Sequence, residues 1–115
     1  MQNVFDRVCN ELVPQMMRSG FQMEPEERSY LNGSVSRLAY PMGREPDDYL
    51  EVEYGRNNKE CVTVQWGDNE LVIKPDGAGF SVLFQIGLRQ TEHFQPYATL
   101  DSVFACVLRH ENVLW

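Results

Sequence analysis

The sequence predicts an α+β fold: an antiparallel meander of five to six strands with an N-terminal and a C-terminal helix packed on one face. Three observations carry this. Apolar residues recur at helical spacing only near the two ends of the chain, and the middle alternates apolar and polar residues with a period of two. The links between the alternating segments are also too short for the crossover that a parallel pairing needs.

The first helix is expected over residues 3–19, with Asn3 as N-cap and Asp6 in the first turn. Val4, Phe5, Val8, Cys9, Leu12, Val13, Met16 and Met17 fall at helical spacing, and Gly20 is the expected stop. Pro14 lies inside this run, where it removes a hydrogen bond at a cost of roughly 3 kcal/mol, so a kink or break is expected near residues 10–14. After Gly20 the period changes. Residues 28–31 and 34–40 flank Asn32-Gly33, the usual cue for a two-residue type I′ hairpin. Residues 41–48, holding Pro41, Gly43 and Pro46, read as an exposed loop. Residues 49–54 alternate, with Leu50, Val52 and Tyr54 on one face and Glu51 and Glu53 on the other.

A turn at 55–58 leads into 60–66, where Val62, Val64 and Trp66 share a side. Gly67-Asp68-Asn69 is the next turn, before a short strand over 70–74 and a reversal at 75–79. The strand over 80–88 sets Val82, Phe84, Ile86 and Leu88 on one face, and the polar stretch 90–95, with His93, reads as a solvated loop. Thr99 is the expected N-cap of the second helix, whose Leu100, Val103, Phe104, Val107 and Leu108 fill the amphipathic template.

With 115 residues the chain makes one domain, 1–115. Ten Lys and Arg against 17 Asp and Glu leave a net charge of −7, which argues against nucleic acid as a partner. A hydrophobic content of 43% argues against disorder. Asp6, Arg7, Glu11 and Arg18 interrupt the start of the chain, so no signal-peptide core is expected, and no window resembles a membrane span. The expected compartment is the cytoplasm, with no membrane association. Cys9, Cys61 and Cys106 are spaced too widely for a zinc motif or a disulfide scaffold and read as reduced core thiols; no metal and no cofactor are expected.

Candidate chemistry is sparse. His110 falls in the last turn of the second helix, where a cation complements the dipole. Glu51 and Glu53 share a strand face and could couple for acid–base work, yet the same pattern is the wet face of any half-buried sheet. Asp76-Gly77-Ala78-Gly79 lacks the Lys-Ser/Thr and following helix of a phosphate loop. With no nucleophile, base and orienting group at recognisable spacing, no catalytic residue is assigned; a small hydrolase using Glu51 or His93 is the third-ranked class.

The placement of negative charge has more content. Residues 45–53 hold Glu45, Asp47, Asp48, Glu51 and Glu53 with no Lys or Arg, and a second run, Glu24, Glu26 and Glu27, follows the first helix. Such runs keep small domains soluble. They also steer a basic partner, and Tyr49 within the first run supplies a rigid anchor, so Glu45, Asp47, Asp48, Tyr49, Glu51 and Glu53 are the candidate partner-binding residues. Tyr54 and Trp66 are expected in the core. Arginine outnumbers lysine, which suits bidentate pairing with carboxylates on the wet face.

A helix running into Met17-Arg18-Ser19-Gly20-Phe21, a meander containing Tyr49-Leu50-Glu51-Val52-Glu53-Tyr54-Gly55, and a last helix entered through Tyr97-Ala98-Thr99-Leu100 give a layout that resembles small bacterial toxin-immunity proteins of the contact-dependent-inhibition and polymorphic-toxin type. The resemblance implies a non-catalytic cytosolic protein that binds and blocks a cognate toxin, often a cationic nuclease. A secretion chaperone for an exported effector is the alternative class; such chaperones dimerise, and the absence of a spare apolar stripe in the sequence favours a monomer.

Overall fold

The computed structural model describes residues 2–17, 20–42, 49–56 and 60–110, with backbone alone at Gln2 and at 90–96. The first helical run is not uniform. Helix α1 (Gln2–Arg7) passes through a π-helical segment (Val8–Leu12) into α2 (Val13–Met16). The Val13 N–H donates to Val8 O, five residues back, immediately before Pro14. Widening the turn there relieves the clash between a helical proline ring and the carbonyl four residues earlier.

The π-turn also answers a phase problem. The apolar pairs recur every four residues, and at about 100° per residue each such step overshoots a full turn by about 40°. Left alone, the stripe would swing away from the sheet between Val4 and Met16. One extra residue in the wide turn takes most of that drift back, and Val4, Phe5, Val8, Cys9, Leu12, Val13, Met16 and Met17 are all buried. The expected interruption near residues 10–14 takes the form of this π-helical segment between two short helices. Asn3, expected to cap, lies inside the first turn, since α1 begins at Gln2. Gly20, at φ 94°, turns the chain out of the helix, its N–H donating to Met17 O.

The sheet comprises β1 (Phe21–Met23), β2 (Arg28–Ser29), β3 (Val35–Pro41), β4 (Leu50–Tyr54), β5 (Val62–Trp66), β6 (Asn69–Asp76), β7 (Gly79–Ile86) and β8 (Arg89–Tyr97). All pairings are antiparallel, in the order β1-β3-β4-β5-β6-β7-β8, and β2 also pairs with β3. The meander is as expected, with more strands. Strand β1 was not anticipated. Residues 90–95, expected as a loop, belong to β8, with His93 in register with Val82.

Three turns also differ from expectation. Tyr30 and Ser34 close a three-residue loop rather than a two-residue one: the Gly33 N–H donates to Tyr30 O, and Gly33 adopts φ 89°. Asn32 Oδ1 accepts from the Ser34 N–H and hydroxyl at 3.0 and 2.7 Å, which fixes the turn one residue early. The reversal expected over 75–79 contracts to Gly77-Ala78, leaving Pro75 and Asp76 in β6. Leu88, expected on the apolar face, is fully exposed, because Gly87 (φ 60°) and Leu88 form the tight β7–β8 turn.

Helix α3 (Leu100–Arg109) starts as expected at Thr99, whose Oγ1 accepts from the Ser102 N–H at 3.2 Å. It packs on β7 and β8 while α1 packs on β4. Both terminal helices share one core with Leu50, Val52, Val62, Val64, Trp66, Leu71, Ile73, Val82 and Phe84. Arg7 joins the helices, bonding Glu11 and Asp101 at 2.6 Å each and lying 5.4 Å from the Phe104 ring centre. His110 caps α3 and stacks on Phe84 at 4.3 Å. Trp66 is buried and Tyr54 packs against the core, as expected. Among the described residues, no helix is long and apolar enough to cross a membrane.

Glu24 bridges the interruption between β1 and β2. Its N–H donates to Leu38 O at 2.9 Å, its Oε1 accepts the Leu38 N–H at 3.0 Å, and its carbonyl accepts from Arg37 at 2.6 Å. One backbone bond and one side-chain bond thus hold the edge to β3 where the chain turns away at Pro25. The carboxylate also pairs with Arg28 at 2.8 Å.

Two predictions follow from this packing. A Cβ at Gly79 would collide with the Tyr97 carbonyl, so Gly79→Ala should destabilise the fold by about 2–4 kcal/mol in urea unfolding, since neither backbone can yield. The hydrogen bond from Arg28, aided by that from Leu38, holds Glu24 below its ordinary value of 4.5. Its contribution is thus complete above the unfolded value and is lost as pH falls through the folded one. The stability gap between the wild type and Glu24→Gln should be widest near neutral pH and close below about pH 4.5 in urea titrations at several pH values.

Candidate protein-docking face

One face of the sheet carries both helices, and side chains on the other alternate out from the same strands. On β4 this puts Glu51 and Glu53 on the open side, opposite Leu50 and Val52. Register extends the pattern across the sheet: Glu51 faces Gln65, Gln65 faces Glu70, and Glu70 faces Gln85. One step along, Glu53 faces Thr63, Thr63 faces Val72, and Val72 faces Leu83.

The candidate residues part ways here. Glu45, Asp47 and Asp48 lie outside the described residues. Tyr49 is exposed just before β4, its ring 6.1 Å from that of Tyr40. Glu51 is half-buried, and its Oε2 accepts from the Tyr30 hydroxyl at 3.4 Å. Glu53 is spoken for by Arg56, whose Nε lies 2.5 Å from Oε1. This pairing answers the expectation of ion pairs on the wet face, and it removes Glu53 from the set of carboxylates open to a partner.

Sequence reasoning missed two acids that join Glu51. Glu51, Asp68 and Glu70 line a depression of about 420 Å³ at the end of the sheet where Tyr49 and the Gly67-Asp68 turn lie. Among the described residues its lining holds no Lys or Arg. Gln65 spans the interval between the two glutamates, donating through Nε2 to Glu70 Oε2 at 2.8 Å and accepting at Oε1 from Arg56 at 3.4 Å. The signal for Glu70 was present in the two-residue turn after Trp66, which sets Trp66 opposite Asn69 and so Gln65 opposite Glu70. Among the described residues, no group of three His, Cys, Asp or Glu is placed to hold a metal ion.

A second depression of about 480 Å³ meets the first at Glu70 and is lined by Thr63, Val72, Pro75 and Leu83, with Cys61, Arg56, Glu60 and Lys74 also in its wall. Cys61 is half-exposed, which corrects its expected place in the core; it precedes β5 and turns toward this open side. Cys9 and Cys106 are buried, and burial pushes the Cys9 thiol up to about 12. With Ellman's reagent, one of the three thiols should react readily in the native protein and all three after denaturation, and Cys61→Ser should abolish the native reaction.

Comparison with protein-family models, with curated proteins and with solved structures gave no match.

Proposed function

We propose that this chain is a non-catalytic binding module, a bacterial cytoplasmic immunity protein that docks a basic toxin domain on the open face of its sheet and blocks it. The observation that carries this reading is the grouping of Glu51, Asp68 and Glu70 in one depression with no basic side chain among the described residues of its lining. The neighbouring acid, Glu53, is paired with Arg56, and the second depression sets Arg56 and Lys74 against Glu60 and Glu70, so the acids without a base among the described residues group at one end of the face. Tyr49 stands at that end as an exposed aromatic of the kind that anchors interfaces.

An acidic landing site of this type acts chiefly on the encounter rate and on orientation, and salt weakens it. The test is calorimetry and inhibition against the folded toxin domain encoded beside this chain's gene. Heat on mixing and loss of toxin activity support the reading, whereas a folded toxin domain giving neither sinks it. In stopped-flow association at low salt, Glu51→Lys and Glu70→Lys should each slow binding roughly tenfold, with the difference shrinking as salt rises. Glu53→Gln should have a much smaller effect, because that carboxylate is already paired.

A further inference from the structure

We infer that the partner meets this face with an apolar side chain as well as a cation, the two about 7 Å apart on an extended segment lying along the strands. The inference rests on the reading that the open face docks a basic protein, and it specifies what that protein must present. The face is divided into two rows. Glu51, Gln65, Glu70 and Gln85 form one, wholly polar and acidic; Glu53, Thr63, Val72 and Leu83 form the next. Rows two residues apart along a strand lie about 7 Å from each other, the same interval that separates like-facing side chains on an extended chain.

The second row is apolar at its centre. Val72 and Leu83 are half-buried, and both line the second depression with Thr63 and Pro75. Glu53, the one acid in this row on β4–β7, is paired with Arg56. An apolar side chain seated there removes the remaining exposed surface of Val72 and Leu83 from water, and the charges around it, Arg56 and Lys74 against Glu60 and Glu70, balance. A cation seated there meets Arg56 and Lys74 as well as Glu60 and Glu70, while one row away Glu51, Asp68 and Glu70 attract it with no base among the described lining residues.

Charge decides what kind of molecule can occupy both rows. A second copy of this chain carries the same net −7 and would bring Glu51 and Glu70 against their own counterparts. A nucleic acid would be repelled by the same row. A basic protein segment with an apolar residue two positions from a Lys or Arg satisfies both rows together.

The test uses blocked tripeptide amides as minimal probes, titrated into the ¹⁵N-labelled protein and read by amide shifts. Arg-Gly-Leu should perturb both rows, around Glu51, Gln65 and Glu70 and around Thr63, Val72 and Leu83, and should bind at least about threefold more tightly than Arg-Gly-Ser. Val72→Thr should cut that advantage and leave Arg-Gly-Ser binding unchanged, with spectral dispersion confirming the fold. Equal affinity for the two peptides, with shifts confined to the acidic row, overturns the apolar half while leaving the docking reading intact. Shifts by Arg-Gly-Leu away from the open face, no shifts at all, or equal response to Glu-Gly-Leu overturn both.

Discussion

The register of β4 is the constraint on which the rest of the structure depends. Leu50 and Val52 must point one way and Glu51 and Glu53 the other, and a slip of one residue would bury two carboxylates under α1. Every neighbouring strand inherits this choice through its pairing: Val64 and Trp66 follow Val52 and Leu50, then Leu71 and Phe84 follow Val64 in turn. The helices need that continuous apolar surface, because α1, α2 and α3 are each too short to persist without tertiary packing. The same alternation that makes the core also makes the open face, so core and candidate site are two sides of one pattern.

Much of this was legible in the sequence, and the misses have physical reasons. The alternation in 49–54 and the amphipathic spacing after Thr99 gave β4 and α3 almost to the residue. The interruption was legible from Pro14, and its π-helical form follows from the same residues: a stripe repeating every four positions is out of step with a uniform α-helix. Strand β8 was hidden because Gln90-Thr91-Glu92-His93 has no apolar alternation, and its pairing is imposed by the Gly87-Leu88 turn that returns the chain along β7. The strand β1 is three residues long, below the length at which a period can be read.

The site was legible in part for a similar reason. A charge run along the chain is visible to the eye, and it drew attention to 45–53. The grouping of Glu51 with Asp68 and Glu70 arises across strands, from residues nearly twenty positions apart, and so is invisible until register is known. Conversely, two residues that looked alike in sequence proved unlike: Glu51 accepts from a tyrosine hydroxyl, whereas Glu53 sits in a chain of polar contacts through Arg56 and Gln65 to Glu70.

The broken first edge has a consequence for behaviour at high concentration. A sheet edge with a long row of unpaired backbone groups is a template on which further molecules can stack strand upon strand. Here β1 and β2 are three and two residues long and separated by Pro25, and the stretch between them exposes Glu26 and Glu27. Any chain approaching along β1 and β2 meets a missing donor and two acidic side chains, which disfavours growth of intermolecular sheet from that side. The clasp at Glu24 thereby keeps β3 covered while denying the edge to other copies, so the acidic run after the first helix doubles as protection against fibrillar association.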